Sequence, residues 1–321
     1  MVRRRVLAVS AALAAAFAVP MAARADTWPS KPITLIVPFA PGGATDIVGR
    51  LIGDQLSQVL KQSVVVENRA GAAGTLGMAQ LARSEPDGYT YAMLTDSIPI
   101  QPLLNDSLTW SMDNFQAIAK VATSPEVVVV NAEMPAKTVK ELVQLAKSKP
   151  GELSFAASST GSVHHLAGEV FKQQTGIDMI HIPYKGGGQS IVDLVAGRVD
   201  VGFIGLAPVL SQIKNGQLKA LALTGAERNP QAPDIPTFTE AGYGDFNVEL
   251  WVGMVGQKDA PAETVERMRQ AVVDILANPA VQAKLQEIGF KPVTDDQKNF
   301  GPWLKEQQQG WQAVIKQIGM K

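Results

Sequence analysis

The sequence predicts an α/β protein with two lobes, because strand-like and helix-like segments alternate along most of its 321 residues. Short apolar runs typical of buried strands recur between segments that show the 3.6-residue period of amphipathic helices. The alternation occurs in two series, and a proline- and glycine-rich stretch at 226–247 interrupts it before the last elements. A chain of this length is also long enough for two domains of ordinary size.

The first series begins with an apolar strand at 33–37 and a helix at about 44–62. Ile47, Val48 and Leu51 begin a single apolar face on this helix, with the spacing that packs one side against a sheet. The other elements predicted in this series are strands at 64–66, 89–94 and 117–121 and a short helix that ends at Ala82.

The second series begins with four consecutive valines at 127–130, a run suited to a fully buried strand. After the interruption, a strand at 249–255 and three helices return the chain to the first lobe. We therefore assign 26–125 plus 240–321 to lobe 1 and 126–239 to lobe 2. The other predicted elements are helices at 138–147, 162–174, 189–196, 262–277, 279–288 and 295–318 and strands at 153–156, 179–182, 201–204 and 218–223.

Residues 1–25 have the pattern of a secretory signal peptide. Three arginines at 3–5 precede an apolar run at 6–19, and the small residues Ala23 and Ala25 mark a cleavage site. The run is too short to span a bilayer comfortably. We therefore expect cleavage and a periplasmic location rather than a permanent membrane anchor.

The charge balance excludes some function classes. Removing the four arginines of 1–25 from the 29 basic residues leaves 25 against 30 acidic residues, a net charge of −5. This balance argues against a nucleic-acid partner, which requires a basic surface. A bound anion must then be held by local dipoles against a mildly unfavourable overall field. The absence of cysteine excludes disulfides and thiolate metal sites.

The segment 33–46, ITLIVPFAPGGATD, predicts an anion-binding turn between the first strand and the first helix. Gly42 and Gly43 permit backbone conformations that other residues resist, so main-chain N–H groups can converge on one point. The helix directs the positive end of its dipole at the same point. These features predict a carboxylate site without a charged side chain. The alternative is that Thr45 or Asp46 only caps the helix.

Two later loops repeat this strand–glycine–helix arrangement. The segment 156–162, AASSTGS, places four hydroxyl residues within five positions before a helix, which exceeds what N-capping requires. The segment 181–188, HIPYKGGG, carries Tyr184 and Lys185 at a strand end before three glycines. Phe203 lies near the end of the next strand, where ligands gather in open α/β sheets. The alternatives are a solvated surface position for Lys185 and core packing for Phe203.

Catalytic and metal-binding motifs are weak in this chain. The three histidines, His164, His165 and His181, lack the spacing typical of metal ligands. Ser211 and Lys214 match the Ser-x-x-Lys pattern of penicillin-interacting serine enzymes, but the companion motifs are absent. Neither a nucleophile elbow nor a Walker phosphate loop is present. The sequence therefore predicts a binding protein without catalytic residues, metal or cofactor.

A dinucleotide-binding fold is the main alternative from the residues alone. The strand, glycine turn and helix at 33–62, followed by a strand that ends near Glu67, imitate its layout. The first loop lacks the Gly-x-Gly-x-x-Gly spacing, and Gly71, Gly74 and Gly77 are also spaced differently. This alternative implies an exported NAD-dependent enzyme, which would be unusual.

Longer motifs extend over nearly the whole mature chain. They read WPSKPITLIVPFAPGGATD at 28–46, ENRAGAAG at 67–74, SEPDGY at 84–89, TGSVHHLAG at 160–168, HIPYKG at 181–186, DLVAGRVD at 193–200 and ALTGAER at 222–228. Together they closely resemble the solute-binding receptors of tripartite tricarboxylate transporters, the Bug family. One departure is Ser159, where the family often has glycine. The family's histidine corresponds to His165, which makes His164 incidental.

The resemblance implies a type II periplasmic-binding-protein fold, in which two α/β lobes joined by two crossover segments close over a ligand. It implies a monomeric receptor without cofactor that captures a small carboxylate and delivers it to the membrane subunits of such a transporter. The first-loop main chain holds one carboxylate in this family, and lobe 2 holds the far end of the ligand. Carried over here, with Phe203 added from its strand-end position, the ligand-binding residues are Phe39, Ala40, Gly42, Gly43, Thr45, Asp46, Ser158, Ser159, Thr160, Gly161, Ser162, Tyr184, Lys185, Gly186 and Phe203.

Two questions stay open at the level of the sequence. A receptor for uptake and a ligand-sensing receptor that feeds a signalling partner share this fold and these motifs. Di- and tricarboxylates, amino acids and aromatic acids all suit neutral donors in a polar cleft, and no arginine clamp lies in the three loops.

Overall fold

The computed structural model describes residues 28–244, 248–295, 297–317 and 319. The predicted signal peptide at 1–25 lies outside the described residues. The described chain is a mixed α/β structure, which confirms the predicted fold class. Its strands are β1 (Ile33–Val37), β2 (Val64–Asn68), β3 (Thr90–Thr95), β4 (Phe115–Asn131), β5 (Ser154–Ala157), β6 (Ile180–Pro183), β7 (Val201–Gly205), β8 (Leu218–Leu223), β9 (Glu249–Gln257) and β10 (Lys291–Pro292).

Helices alternate with these strands in both series, as the sequence predicts. The helices are α1 (Ala44–Leu60), α2 (Thr75–Ala82), α3 (Ser97–Leu104), α4 (Val139–Ser148), α5 (Val163–Thr175), α6 (Gly187–Val195), α7 (Leu206–Lys214), α8 (Ala262–Ala277), α9 (Pro279–Glu287) and α10 (Phe300–Gln317). Most bounds agree with the predicted ones within a few residues. The last helix begins at Phe300 rather than near Asp295, because a short 3-10 turn at Gln297–Asn299 precedes it.

The first half of the sheet has the strand order β2-β1-β3-β9-β4. β1 runs parallel to β2 and β3, and β9 runs antiparallel to β3 and β4. The apolar face of α1 packs on this half through Val48, Ile52 and Leu56, beside Met268 and Val272 of α8. The predicted period of α1 therefore identifies its buried side correctly.

The second half has the order β4-β7-β5-β6, with β8 on the other side of β4. β5 runs parallel to β6 and β7, and β4 runs antiparallel to β7 and β8. Phe155, Phe171 and Phe203 form the centre of its core, beneath α4 and α5. The two halves thus have separate cores, which is the architecture of a two-lobed α/β binding protein.

β4 belongs to both halves. Its residues Phe115 to Pro125 pair with β9, and Glu126 to Val130 pair with β7. The sequence predicts separate strands at 117–121 and 127–130, but they form one strand of 17 residues. Pro125 suggests a break in the sequence, yet it lies at the last position paired with β9, where the strand changes partner and a proline is tolerated. The chain returns to the first half between β8 and β9, so the exact lobe boundaries at 125 and 240 stay a prediction.

Two helices, α3 and α7, go beyond the sequence prediction. α3 contains Pro99 and Pro102, residues that normally argue against a helix interior. Five consecutive residues of α3, from Ser97 to Gln101, are buried, so no polar face reveals the helical period. α7 likewise contains a proline, Pro208, and follows β7 without an intervening loop.

Candidate functional site

The first loop, residues 38–43, joins β1 to α1 and leaves the N-terminus of that helix without a side-chain cap. Gly43 is the N-cap residue and has no side chain to accept from the first N–H groups of the helix. Gly42 adopts a φ of 82°, a left-handed conformation that favours glycine and turns the chain into the helix. Gly43, Ala44 and Thr45 line a cavity, so the positive end of the helix dipole is presented there.

Asp46 holds the first loop in shape. Its buried carboxylate accepts hydrogen bonds from the Gly42 N–H at 3.0 Å and from the Asn68 amide at 2.8 Å. Arg50 donates to it at 3.1 Å, and the Asn68 amide also donates to the Phe39 carbonyl at 3.0 Å. Burial alone would raise the pKa of Asp46, but the hydrogen bonds, led by that from Arg50, outweigh burial and lower the pKa. Asp46 is therefore an ionised support for the loop.

The third loop, residues 184–188, packs directly against the first loop. The Ala40 N–H donates to the Lys185 carbonyl at 3.2 Å and so joins the two lobes through the main chain. A Cβ atom on Gly188 would lie 2.2 Å from the Pro41 carbonyl oxygen. Glycine is required here because the opposing main chain cannot move aside as a flexible side chain would.

The second loop, residues 158–162, uses its hydroxyl groups in different ways. Ser162 caps α5, since its hydroxyl accepts from a main-chain N–H of the helix at 3.2 Å and donates to the Ser159 carbonyl at 2.7 Å. The Ser158 hydroxyl lies 2.8 Å from Nδ1 of His164. The Ser159 hydroxyl is buried and has no hydrogen-bond partner in the described part of the chain. Ser158 and Ser159 are therefore the buried hydroxyl residues of this loop that do not cap the helix.

Helix α3 connects lobe 1 to the second loop. The Val163 N–H donates to the Ser97 hydroxyl at 3.2 Å. The Gln101 amide donates to the Gly161 carbonyl at 2.9 Å and to the Ser97 carbonyl at 3.2 Å. These side chains are buried. The unpredicted helix thus supplies further contacts that hold the lobes together.

Two cavities adjoin the predicted loops, and each has lining residues from both lobes. The inner cavity, about 30 Å³, is lined by Phe39, Gly43, Ala44, Thr45, Thr95, Ser97, Ser158, His164, Gly187, Ile204, Gly205, Pro208 and Leu250. The outer cavity, about 370 Å³, is lined by Ala72, Ala73, Thr75, Gln101, Asn105, Ser159, Thr160, Pro183, Tyr184 and Lys185.

The cleft floor, which we define as Ser158, His164, Glu126 and Asp96, is a polar group that sequence reasoning largely missed. Nε2 of His164 lies 3.6 Å from Oε1 of Glu126. Burial raises the pKa of Glu126 well above its usual value and the pKa of Asp96 to about 7, and it lowers the pKa of His164 to about 4. His164, predicted to be incidental, lines the inner cavity. The available sequence signal was Glu126, a single acid directly before four buried valines.

His165 shapes the second loop. Its Nδ1 accepts a hydrogen bond from the Gly161 N–H at 3.1 Å, and its ring stacks on His181 with the ring centres 3.8 Å apart. Burial lowers the pKa of His165, and it lowers that of His181 to about 4. Both rings are therefore neutral supports at neutral pH.

Phe203 requires a correction to the predicted site. Its side chain is 1% exposed and packs with Phe155 and Phe171, with ring centres 5.7 and 5.6 Å apart. Ile204, the next residue of β7, lines the inner cavity instead. Side chains alternate between the two faces of a strand. A prediction that is wrong by one position therefore selects a core residue in place of one that lines the cleft.

The other predicted residues come together around the two cavities. Phe39, Gly43, Thr45 and Ser158 line the inner cavity. The outer cavity receives Ser159 and Thr160 from the second loop and Tyr184 and Lys185 from the third. The Tyr184 hydroxyl donates to Asp193 at 3.0 Å, and Lys185 is exposed. Ala40, Gly42, Gly161 and Gly186 contribute to the shape of the loops.

Away from the three predicted loops, the described residues give weaker indications of a functional site. A third cavity, about 810 Å³, is also lined by both lobes, mainly by 224–231 and 286–291, and shares none of the predicted residues. Within the described ranges, no group of three or more histidine and acidic side chains is placed to hold a metal ion. None of the described helices is long and apolar enough to cross a membrane.

Two α/β halves that face each other across glycine-rich loops define a two-lobed periplasmic solute-binding protein. The family model described as "Tripartite tricarboxylate transporter family receptor" matches residues 48–320. The chain belongs to this family, as the Bug-family resemblance predicts. It is therefore a periplasmic solute-binding receptor and not an enzyme.

Individual relatives agree with this assignment. Protein BugT of Bordetella pertussis is 32% identical over 99% of this chain and 98% of its own length. A Rhodopseudomonas palustris protein solved with adipate is 31% identical, with a TM-score of 0.88 over 91% of this chain and 98% of that one. MatC from Rhodopseudomonas palustris, solved with bound malate, is 27% identical, with a TM-score of 0.84 over 90% of this chain and 100% of that one.

Proposed function

We propose that this receptor captures a small carboxylate between its lobes and delivers it to the membrane subunits of a tripartite tricarboxylate transporter. Membership of the receptor family supports the transporter partner. The structures solved with adipate and malate support a carboxylate ligand, since both molecules are dicarboxylates. Within that class, a di- or tricarboxylate, an amino acid or an aromatic acid fits the neutral donors of the loops.

The uncapped N-terminus of α1 at the inner cavity is the observation that carries the proposal. Free main-chain N–H groups and the helix dipole attract a carboxylate without a cationic side chain. Charge-assisted hydrogen bonds contribute about 1.5–3 kcal/mol each, so a few of them reach the roughly −8 kcal/mol of micromolar binding. Enclosure between the lobes excludes water and strengthens each bond.

We leave three predicted residues out of the proposed contact set because their side chains are engaged elsewhere in the fold. Asp46 and Ser162 are engaged in holding their loops, and Phe203 is engaged in the core. The proposed ligand-contacting residues are Phe39, Ala40, Gly42, Gly43, Thr45, Ser158, Ser159, Thr160, Gly161, Tyr184, Lys185 and Gly186.

Closure of the two lobes is part of the proposal. The direct contacts between Ala40 and Lys185 and between Gln101 and Gly161 correspond to a closed arrangement of 26–125 plus 240–321 against 126–239. Opening about β4 and the second connection between the lobes would admit the ligand. Small-angle scattering of a monomer should show a smaller radius of gyration with saturating ligand. Identical dimensions in both states would contradict closure.

A thermal-shift screen tests the proposed function. The mature protein is mixed with C4–C8 dicarboxylates, citrate, acidic amino acids, aromatic acids, phosphate and NAD. A ligand at 100 times its dissociation constant adds about 2.7 kcal/mol of stability. A shift with a carboxylate supports the receptor proposal, whereas a shift with NAD alone would contradict it.

The variant Gly43→Val tests the position of the site. Gly43 has an ordinary φ of −85°, so valine is tolerated by the backbone, but its Cβ would lie 3.5 Å from the Gly187 nitrogen, and its methyl groups would crowd the space between the uncapped helix and the third loop. We expect loss of binding in calorimetry with a nearly unchanged melting temperature. Gly310→Val is the matched control, because a Cβ at Gly310 meets no other atom within 4 Å. Equal affinity for both variants would remove the first loop from the site.

A further inference from the structure

The cleft floor contains carboxyl oxygens that nothing in the described structure satisfies. Glu126 is 1% exposed, and neither of its carboxyl oxygens has a hydrogen-bond partner among the described residues. Asp96 is 2% exposed; its Oδ1 accepts from the Ser97 hydroxyl at 3.1 Å, whereas its Oδ2 has no partner there. Three buried acceptors therefore await a donor, and each unsatisfied group is costly.

These oxygens stand directly behind the wall of the inner cavity. Glu126 is the strand partner of Gly205 and lies beside His164, and both of those residues line the cavity. Asp96 lies between Thr95 and Ser97, which line it from the other lobe. The two carboxyl groups are close enough to repel each other electrostatically. Ser158 and His164 line the cavity in which we place the ligand, and the two acids lie behind that wall rather than in it.

No cation balances this pair within the described structure. Neither carboxyl group forms an ion pair with a lysine or arginine there, and the groups that face them are each other, His164, the Thr95 and Ser97 side chains and the Trp251 main chain. His164 does not serve as the cation, because burial lowers its pKa to about 4. Without a ligand, burial favours the protonated form of both acids, and an incoming cation would displace protons from them.

We propose that Glu126 and Asp96 bind a protonated amino group of the ligand, so that the receptor selects an amino acid over a plain di- or tricarboxylate. This inference rests on the proposed function, in which the loops hold the ligand's carboxylate. An ammonium group has three N–H donors, which equals the number of unpartnered oxygens. A second carboxylate at the floor would find no cation there and could be held only by O–H donors of protonated acids, an interaction that weakens once the acids ionise.

Matched pairs of acids test the selection. Calorimetry compares L-aspartate with succinate, L-glutamate with glutarate, and L-alanine with propionate, which differ only by the amino group. We expect one amino acid to bind at least about tenfold more tightly than its plain counterpart, a difference of about 1.4 kcal/mol. Equal or tighter binding of the plain acids would overturn the inference while leaving the carboxylate receptor intact. Failure of all six acids to bind would count against the proposed function and, with it, this inference.

The pH dependence gives an independent readout. At least one of the acids must lose its proton to balance the single charge of an ammonium group, so amino-acid binding should release protons and tighten between pH 6 and pH 8. Repeating the titration in buffers of different ionisation enthalpy measures that release directly. Proton uptake and weaker binding at pH 8 would show that His164 becomes cationic against a second carboxylate, and would overturn the inference.

Near-isosteric variants locate the effect. Glu126→Gln and Asp96→Asn should each weaken amino-acid binding at least about tenfold while leaving the plain acid unchanged or tighter. Asp87→Asn is the control, since Asp87 pairs with Lys31 at the surface. A thermal melt confirms that each variant is folded. If both variants keep the wild-type preference for amino acids over plain acids, the cleft floor does not bind the amino group.

Discussion

The first loop and the cleft floor both bury a carboxyl group, and comparison of the two shows how a buried acid is used. Asp46 is 4% exposed and accepts from Gly42, Arg50 and Asn68. Glu126 is 1% exposed and accepts from no described residue. The pKa of Asp46 is lowered because its hydrogen bonds outweigh burial, whereas burial raises the pKa of Glu126.

This difference distinguishes a buried carboxyl group that supports the fold from one that is available to a ligand. A satisfied carboxylate stabilises the folded chain and has little left to offer a ligand. An unsatisfied one costs stability in the free protein and returns that cost when a ligand supplies donors. The first loop is therefore a rigid cradle of main-chain donors, and the floor is a group completed by the ligand.

The largest expected effect is on the pH dependence of stability. Asp96 titrates near pH 4 when unfolded and at about 7 when folded, so the folded state binds the proton more tightly. The stability that this provides is present below pH 4 and is lost as pH rises to about 7, a change of about 4 kcal/mol. Urea unfolding at pH 5 and pH 8 should show the part of this loss that falls above pH 5, about 2.5 kcal/mol, in the wild type and a smaller loss in a double variant, Asp96→Asn with Glu126→Gln.

Buried histidines also titrate in this pH range. The pH dependence of stability must therefore be compared between the wild type and the double variant, rather than read from the wild type alone. Burial lowers the pKa of His164 and of His181 to about 4, and these groups therefore add stability as pH rises toward 6.5. Their contribution is nearly the same in both proteins and largely cancels in the difference. An identical pH slope for wild type and double variant would show that the floor acids are not buried as described.

Because the carboxylate of Asp46 is hydrogen-bonded in the folded chain, Asp46→Ala should lower the free energy of unfolding by about 3 kcal/mol at pH 7. The substitution removes the acceptor of three donors and leaves the Gly42 N–H and the Asn68 amide without it. Chemical unfolding measures the effect. Asp54→Ala on the exposed side of the same helix is the control and should change stability little. Equal effects of the two variants would show that the hydrogen-bonded carboxylate of Asp46 stabilises the fold no more than an exposed one does.

The contact between the lobes should affect affinity. Gln101→Leu removes the hydrogen bond to the Gly161 carbonyl of lobe 2, and we expect about tenfold weaker ligand binding, or about 1.4 kcal/mol. Gln282→Leu is a matched control, because the Gln282 amide donates to Leu276 within lobe 1. It should lower stability and leave affinity unchanged. Calorimetry and thermal melts on both variants distinguish closure from general stability.

The smallest effect separates two serines of the second loop. Ser162→Ala removes the N-cap of α5 and should cost about 1 kcal/mol of stability with affinity unchanged within about twofold. Ser159→Ala removes a buried hydroxyl that has no described partner, so it should cost less stability and weaken binding. The reverse pattern in paired melts and titrations would place the ligand at Ser162.

The sequence alone determines the elements whose cause is local. Apolar runs and helical periods identify the alternating strands and helices, because each needs one buried side wherever it lies in the fold. The glycines at 42–43 and 186–188 identify the loops that meet, since main-chain approach excludes a Cβ at Gly188. The motifs at 28–46 and 160–168 point to the receptor family before any contact is known.

Only the tertiary structure decides what depends on distant partners. Helix α3 is stable despite its prolines because both lobes bury it, and Phe203 and Ile204 exchange core and cleft through the register of β7. Asp46, Asp96 and Glu126 are the same kind of group in the sequence. Arg50 and Gly42 are local donors to Asp46, each four residues away, but the Asn68 donor and the burial that raises the pKa of Asp96 and Glu126 are set by the tertiary structure.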